Sequence, residues 1–301
     1  MKIHPVKEWK SKIRFGKVPK TEVSRKKKRL TYIAVLPSFI TLMNGACGFI
    51  AIIFASHSPE ITWSFLRGLD MSSFSLIGYI IFLAMIADML DGRIARLTRT
   101  TSGFGGQLDS LCDTISFGVA PAFLMMKMTE FHLESVSFAN PLFSVIINRG
   151  IFFSAIFYVM CTVVRLARFN VENEEDEASH MNFAGLPSPA AAGVVASLVI
   201  FYMQYLSVLS AFKIIMVIGL PLITFLAGLL MVSRLRYPHL PNYLLRAKKT
   251  LPSLLLIFAC AIFIVWNIQL ALIAGFCSFM LFGMIRWVVL SISRKPPQPQ
   301  S

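Results

Sequence analysis

The chain has 301 residues, of which 56% are hydrophobic and only 15% are charged, and its mean hydropathy is +0.68. Charged residues make up about 25% of a typical soluble domain, so this composition excludes an ordinary soluble enzyme and favours an all-α polytopic membrane protein. The net charge of +14 is concentrated ahead of the first apolar run, which favours contact with anionic membrane lipid over nucleic acid.

The first predicted segment is basic. Residues 1–30 hold twelve of the 29 Lys and Arg residues, and we interpret them as a cytoplasmic juxtamembrane segment. Eight apolar runs come after this segment. Each is close to or longer than the roughly 20 residues that a membrane-spanning helix needs. They lie at 31–56, 74–98, 104–128, 148–169, 187–208, 212–233, 250–268 and 269–290. The last two are joined by the short stretch 267–269, which predicts a tight helical hairpin.

The distribution of basic residues predicts the orientation. With eight crossings, the basic clusters at 1–30, 93–99, 165–168, 234–249 and 294–295 all fall on one side of the membrane. The opposite loops, near 57–73 and 129–147, carry few Lys or Arg residues. The positive-inside rule therefore places both termini in the cytoplasm. The acidic run at 172–177 is predicted to be a solvated loop on that side.

Four aspartates interrupt the second and third apolar runs. Asp88 and Asp91 are three residues apart, and Asp109 and Asp113 are four apart, so each pair shares one face of a helix. The intervening stretch 97–104 contains Thr, Ser and Gly and predicts a turn. The two helices would then run antiparallel, and their carboxylates would converge at the cytoplasmic end.

Carboxylates that converge beside a membrane repel one another and require compensating positive charge. One or two divalent cations would supply it, and oxygen ligands favour Mg²⁺ or Mn²⁺. Two such ions can clamp a phosphoryl group during in-line displacement. The small residues Gly92, Ala95 and Gly105 would leave room for a ligand, and Arg96 could hold a phosphate through two hydrogen bonds.

The full pattern, Asp88-x2-Asp91-Gly92-x2-Ala95-Arg96-x8-Gly105-x3-Asp109-x3-Asp113, resembles the complete signature of the CDP-alcohol phosphatidyltransferase family. The resemblance implies a catalytic six-helix core at 31–236 and commonly a homodimer. It also implies transfer from a CDP-linked donor with release of CMP. The helix pair at 250–290 would be an addition to that core, and 291–301 would form a cytoplasmic tail.

The resemblance also implies roles for individual residues. Asp88, Asp91 and Asp109 would be metal ligands, while Asp113 would complete the second site of a two-ion Mg²⁺ or Mn²⁺ centre and act as the base. The stretch 37–41 is similar to a family turn that contributes to the nucleotide pocket. The residues expected at the donor, CDP-diacylglycerol, are Ser38, Thr41, Gly92, Ala95, Arg96, Ser102 and Gly105.

Three further stretches, at 107–122, 165–170 and 185–193, resemble the phosphatidylserine synthase branch of the family, which implies L-serine as the acceptor. The glycerophosphate branch usually carries Pro and Lys where this chain has Ser110 and Thr114. Glycerol 3-phosphate and inositol phosphate remain alternative acceptors. Arg165 and Arg168 share a helical face and could bind the serine carboxylate or a donor phosphate, or could only anchor the helix. Ser188, which precedes a proline, is expected to be an N-cap.

An alternative from another class is a divalent-cation transporter that uses the aspartates as its transport site. Transport sites of that kind more often lie near the bilayer midplane on interrupted helices, commonly with internal repeats. Here the carboxylates are predicted near one surface, beside basic residues, and no clear repeat is visible. We therefore expect a multi-pass enzyme with its active site facing the cytoplasm. The branch resemblance, together with the absence of a visible organelle signal, implies a bacterial cytoplasmic membrane.

Overall fold

The computed structural model of the chain describes residues 20–57, 72–98, 103–135, 141–175, 185–233, 235, 262–263 and 265–293. The regular secondary structure in these residues is helical throughout. In chain order the helices are α1 (Lys20–Ser56), α2 (Ser73–Thr98), α3 (Gly103–Asp113), α4 (Ala120–Glu134), α5 (Pro141–Glu175), α6 (Ser188–Phe201), α7 (Ser210–Val232) and α8 (Ile268–Ser293).

Seven helical stretches in the described part of the chain are long and apolar enough to cross a membrane, which confirms the prediction of an all-α polytopic membrane protein. They match the first six predicted runs and the eighth. The seventh run, 250–268, lies mostly outside the described residues, as do Ser102, residues 1–19 and residues 294–301. The stretches are Ser38–Ser56, Ser73–Leu97, Gly103–Glu134, Leu142–Val171, Ser188–Leu206, Phe212–Val232 and Ile268–Arg286.

Three helices extend well beyond their predicted runs. The first, α1, begins at Lys20 instead of 31. The third stretch reaches Glu134 instead of 128, and α5 begins at Pro141 and ends at Glu175 instead of spanning 148–169. Much of the predicted loop at 129–147 is therefore helical, and the acidic run at 172–177 begins inside α5. A hydropathy window detects the apolar centre of a helix, whereas polar residues at its ends can remain helical beyond the hydrocarbon layer.

The third membrane stretch is not a uniform α-helix. A π-helical turn at Thr114–Val119 joins α3 to α4, directly after Asp113. A π turn weakens the usual backbone hydrogen bonding, and the Tyr158 hydroxyl of α5 donates a 3.0 Å hydrogen bond to the carbonyl of Phe117 within it. A second π turn, Tyr202–Leu206, extends α6.

The centre of the bundle is α6, whose residues are buried along almost its whole length. Its first turns are rich in Ala and Gly, which lets neighbouring helices approach closely. Large side chains from the surrounding helices fill the rest of the core, while Phe153, Ile156 and Met160 on α5 are exposed. In a membrane protein such exposed apolar side chains form the lipid-facing surface. Fully buried core residues include Ile77, Ile81, Leu124, Met125, Tyr158 and Val199.

The helix α8 packs on the outer side of α6. The ring of Phe276 lies against Gly193, where an added Cβ would come within 2.3 Å of a ring carbon. The same ring lies 5.4 Å, centroid to centroid, from that of Phe82 on α2. Asn267 accepts a hydrogen bond from the backbone N–H of Leu270 and so caps the start of α8.

The two ends of the bundle can be followed through these contacts. Gly185 donates its backbone N–H to the carbonyl of Leu235, which places the chain just after α7 beside the start of α6. Asn267 donates a side-chain hydrogen bond to the hydroxyl of Tyr205 at the other end of α6. The described residues on either side of 236–261 therefore lie at opposite ends of the bundle.

Candidate active site

Three carboxylates meet where α2 ends and α3 begins. Asp88, Asp91 and Asp109 each offer one oxygen, and these three atoms lie within 4.8 Å of one another. The helices run antiparallel here because residues 98 and 103 bound a short connection, so the same-face pairs of α2 and α3 converge as the spacing indicated. The predicted meeting of the two aspartate pairs is therefore present in the fold.

These carboxylates are short of hydrogen-bond donors. Asp91 is 5% exposed, and its Oδ2, like Oδ1 of Asp109, is buried without a hydrogen-bond partner among the described residues. A buried ionised oxygen that lacks a donor is costly unless a cation compensates it. An acceptor-only group of this kind fits a hard divalent cation, because carboxylate oxygens are the ligands such ions prefer.

Asp113 lies beside this cluster and interacts electrostatically with all three of its carboxylates. It occupies the last position of α3 and is 7% exposed. Its Oδ1 accepts a 2.9 Å hydrogen bond from Nδ2 of Asn44 on α1. Sequence reasoning did not single out Asn44, although an amide inside an apolar run, three residues after Thr41, was a visible signal.

The middle of α1 forms one wall of the site. The Thr41 hydroxyl hydrogen-bonds to the Asp91 carboxylate, so Thr41 contacts the acidic cluster directly. Thr41 and Asn44 are three residues apart and therefore lie on one face of α1. Ser38 precedes them by another three residues and is half-buried. The stretch 37–41, which resembles a family turn, is helical in this structure.

Two glycines let α1 approach α3 this closely. An added Cβ at Gly45 would lie 2.9 Å from the Cys112 sulfur, and one at Gly48 would lie 2.6 Å from Cα of Ser116. Real Cβ atoms do not come that near to backbone, so the contact depends on the missing side chains. Ser116 adds a 2.8 Å hydrogen bond from its hydroxyl to the carbonyl of Asn44.

The residues expected at the donor lie around the open side of the cluster. Gly92 borders open space, since nothing lies within 4 Å of where its Cβ would be. Arg96, one turn further along α2, is exposed, and its Nε donates a 3.0 Å hydrogen bond to the Gly92 carbonyl. Ala95 and Gly105 are half-buried on the two neighbouring helices. This arrangement leaves room for a ligand beside the carboxylates.

Arg165 comes from α5 and faces the acidic end of the bundle. Its Nη1 donates a 2.6 Å hydrogen bond to the hydroxyl of Ser188, and it interacts electrostatically with Asp88 and Asp113. The expectation that Ser188 is an N-cap was wrong, because Pro187 occupies that position and Ser188 is the first residue of α6. Arg168 donates a 3.4 Å hydrogen bond to the Val232 carbonyl at the end of α7.

A second link ties α5 to α3. The Ser110 hydroxyl and the Asn170 amide hydrogen-bond to each other, with Nδ2 of Asn170 donating across 2.9 Å. Ser110 is adjacent to Asp109, so the link holds the C-terminal half of α3 against the end of α5. Together with the contact between Arg165 and Ser188, it brings the stretches 107–122, 165–170 and 185–193 to one end of the bundle.

The turn before α6 completes this end of the molecule. Gly185 has a φ of +94°, a backbone conformation that glycine adopts without strain. An added Cβ there would come within 2.2 Å of the Met231 carbonyl oxygen. The N–H groups of Gly185 and Leu186 donate to the carbonyls of Leu235 and Leu230, so this turn satisfies the C-terminal end of α7.

The sequence from 34 to 225 matches the profile of the CDP-alcohol phosphatidyltransferase family. The chain belongs to this family. One relative, the CDP-diacylglycerol–serine O-phosphatidyltransferase of Methanocaldococcus jannaschii, is 31% identical over 70% of this chain and 77% of its own length. The Helicobacter pylori protein of the same name is 32% identical over 73% and 82%. The archaetidylserine synthase of Methanothermobacter thermautotrophicus is 30% identical over 70% and 73%.

Membership of the CDP-alcohol phosphatidyltransferase family confirms the resemblance read from the aspartate spacing. It favours phosphoryl-group transfer over the divalent-cation transporter that the sequence left open. The profile covers most of α1, all of α2 to α6 and most of α7. These helices supply the acidic cluster, Asn44 and Arg165. The helix α8 lies beyond the matched residues and packs on the family fold from outside.

Proposed function

We propose that this chain transfers the phosphatidyl group of CDP-diacylglycerol to the hydroxyl of L-serine, forming phosphatidylserine and CMP. The observation that carries the reaction class is the cluster of Asp88, Asp91 and Asp109, with its buried unpartnered oxygens at one end of the bundle. Support for serine comes from relatives that are named for this acceptor and match more than two thirds of this chain.

The acidic cluster would hold the metal ions. We propose two ions, Mg²⁺ or Mn²⁺, with Asp88, Asp91 and Asp109 as ligands and Asp113 completing the second site. When bound, such ions supply positive charge to the diphosphate and to the CMP leaving group. The residues of the chain do the positioning, since Thr41 holds Asp91 through a hydrogen bond and Asn44 holds Asp113.

The chemical step needs a base and an in-line attack. Asp113 would take the proton of the serine hydroxyl, and the serine oxygen would form a bond to the β-phosphorus of CDP-diacylglycerol. The bond from that phosphorus to the oxygen of CMP breaks, and CMP leaves with the electron pair. A carboxylate next to the cluster is suited to this role because it can accept the proton within a few ångströms of the attacking oxygen.

Donor and acceptor would approach from different directions. The cytidine diphosphate would occupy the open space at Gly92, with Ala95, Gly105, Ser38 and Ser102 around it and the exposed Arg96 near the phosphates. The acyl chains would stay in lipid beside α2.

The acceptor would bind on the α5 side. Arg165 could hold the serine carboxylate through paired hydrogen bonds, because it interacts electrostatically with Asp88 and Asp113. Its hydrogen bond to Ser188 fixes the direction of the side chain. Arg168, one turn further along α5, is the weaker candidate, since it donates a hydrogen bond to the carbonyl of Val232 at the end of α7.

The membrane arrangement follows from charge. Arg93, Arg96, Arg165 and Arg168 all lie at the acidic end of the bundle, so the positive-inside rule places that end and both termini on the cytoplasmic side. We propose eight crossings, because residues 235 and 267 lie at opposite ends of the bundle. We also propose a homodimer in the bacterial cytoplasmic membrane.

The purified full-length protein, in mixed micelles with CDP-diacylglycerol, tests this proposal. CMP release and the lipid product are measured with L-serine, glycerol 3-phosphate and inositol phosphate in separate reactions. We expect release with L-serine and formation of phosphatidylserine. A chelator should abolish the reaction, and added Mg²⁺ or Mn²⁺ should restore it.

The other possible results would each contradict a different part of the proposal. CMP release with glycerol 3-phosphate or inositol phosphate, and not with serine, would contradict the acceptor but keep the chemistry. No CMP release with any alcohol, combined with metal flux into liposomes in the absence of nucleotide, would contradict the transferase itself. Full activity in the presence of the chelator would contradict the metal assignment.

A further inference from the structure

Asn44 is a buried amide that contacts the proposed base and has no assigned role. We propose that it is a positioning residue, which holds the Asp113 carboxylate in the orientation that proton transfer requires. The proposal rests on the proposed function, in which Asp113 is the base. It is carried by the 2.9 Å hydrogen bond from Nδ2 of Asn44 to Oδ1 of Asp113 and by the complete burial of Asn44.

The direction of this hydrogen bond is fixed by chemistry. An ionised carboxylate only accepts hydrogen bonds, so the amide must present its NH₂ group to Asp113. The terminal torsion of an aspartate is broad and has no sharp staggered minima. A single buried donor on Oδ1 therefore selects one rotation of the Asp113 carboxylate.

Asn44 is itself held in place. Its backbone carbonyl accepts a 2.8 Å hydrogen bond from the Ser116 hydroxyl, two residues beyond the start of the π turn that follows Asp113. The close contact of Gly48 with Ser116 fixes α1 against the same turn. These contacts hold the backbone around Asn44 against the backbone that follows Asp113.

The Asn44 side chain also remains chemically incomplete. Its Oδ1 is buried and has no hydrogen-bond partner among the described residues. An amide retained in an apolar helix with half of its hydrogen-bonding capacity unused is costly. A packing role alone would be served better by leucine, which has a similar volume, so the cost indicates that the donor to Asp113 is what matters.

The first test replaces Asn44 by leucine and measures steady-state CMP release. We expect kcat to fall about 10- to 100-fold, because small errors in the position of a reacting group have effects of that size. The KM for CDP-diacylglycerol should stay within about 2-fold of the wild-type value, because a residue that acts through the base affects the chemical step and not donor binding. If Asn44→Leu does not fold, Asn44→Ser takes its place, since serine is too short to reach Asp113.

The matched control is Thr129→Val. It removes a buried side-chain hydrogen bond late in α4, from the Thr129 hydroxyl to the carbonyl of Met125, and leaves the contact with Asp113 intact. We expect the kcat of this control to stay within about 2-fold of wild type. An Asn44 variant that is folded and retains more than a third of the wild-type kcat would overturn the proposal.

The second test repeats the Asn44 substitution in an Asp113→Asn background. The residual turnover is measured with labelled serine over long incubations. If Asn44 acts through Asp113, its removal should cost little more once the base is absent. An equal loss in both backgrounds would mean a structural role and would overturn the proposal. An Asp113→Asn protein with full activity would instead contradict the proposed base, so the two failures are distinguishable.

Discussion

Both ends of the helix bundle contain buried polar groups, but their chemistry differs. At the acidic end, Asp91 and Asp109 each have an unpartnered oxygen that can only accept hydrogen bonds. At the opposite end, Nε2 of His132 and the hydroxyl of Tyr202 are buried without a partner among the described residues, and their rings lie 5.1 Å apart. A histidine nitrogen and a phenol can each donate or accept.

This difference shows how to separate a site from a packing irregularity. One ordered water could satisfy both His132 and Tyr202, since it can donate to one group and accept from the other. No neutral molecule of that size neutralises three converging carboxylates. A cation does, and the acidic end therefore depends on a ligand in a way that the opposite end does not.

The largest expected effect comes from changing a carboxylate at each end. Asp91→Asn removes a proposed metal ligand, and we expect serine-dependent CMP release to fall by more than about 100-fold, because metal charge stabilises the leaving group. Glu130→Gln removes a carboxylate at the opposite end, where Glu130 forms a 2.9 Å ion pair with Lys127. We expect that variant to stay within about 2-fold of wild type, since partly exposed pairs contribute little.

The two variants share the same chemical change, so each serves as the other's control. Equal activities for Asp91→Asn and Glu130→Gln would remove the functional distinction between the two ends. The measurement is CMP release at saturating metal and, separately, over a metal titration. A normal rate for Asp91→Asn at any metal concentration would contradict its role as a ligand.

A smaller effect is expected when a glycine of α1 or of α5 is replaced by alanine. Gly48→Ala forces a Cβ against the backbone of Ser116, whereas Gly150 on α5 has nothing within 4 Å of its Cβ position. Overpacking of this kind costs about 1–3 kcal/mol, so Gly48→Ala should lower the melting temperature in detergent and reduce activity. Gly150→Ala should leave both unchanged or raise the melting temperature slightly.

Intrinsic fluorescence measures the melting temperature, and CMP release from the same samples measures the activity. If the two alanine variants melt at the same temperature, the close contact of α1 with the π turn does not contribute to stability. A Gly48→Ala protein that melts normally but loses activity would mean that α1 tolerates the shift while Asn44 and Asp113 do not.

Sequence reasoning predicted the local features of the acidic end but missed its long-range contacts. The spacing of the aspartates predicted that Asp88, Asp91 and Asp109 share helical faces and converge, because the spacing of side chains along a helix is a local property. Asn44 was missed because its partner is 69 residues away, and no local pattern encodes that pairing. Ser188 was assigned as a cap from its neighbours, whereas its contact with Arg165 decides its role.

Helix ends were the least predictable part of the fold. The apolar pattern located all seven membrane-spanning stretches in the described residues, but it predicted the third and fourth to be several residues too short. A membrane helix is recognised by hydropathy, and hydropathy ends at the lipid boundary while helical hydrogen bonding continues into the headgroup region. The π turn at Thr114–Val119 was also invisible, because its apolar sequence resembles that of any buried helix.

The smallest effect is expected from Tyr202→Phe at the end opposite the carboxylates. This change removes a buried hydroxyl that has no partner among the described residues, and such removals are close to neutral or stabilising. We expect activity within about 2-fold of wild type and an unchanged or slightly higher melting temperature. A large loss of activity would mean that this end of the molecule takes part in the reaction after all.

The π turn after Asp113 has a consequence for the length of this span. Each residue of an α-helix rotates the following ones by about 100°, and a π turn accommodates one residue more than an α turn. The orientation of Asp109 and Asp113 is thereby set independently of the direction in which α4 packs into the core. Losing a single residue between 114 and 119 would rotate one half relative to the other, so in this segment chain length is constrained more tightly than side-chain identity.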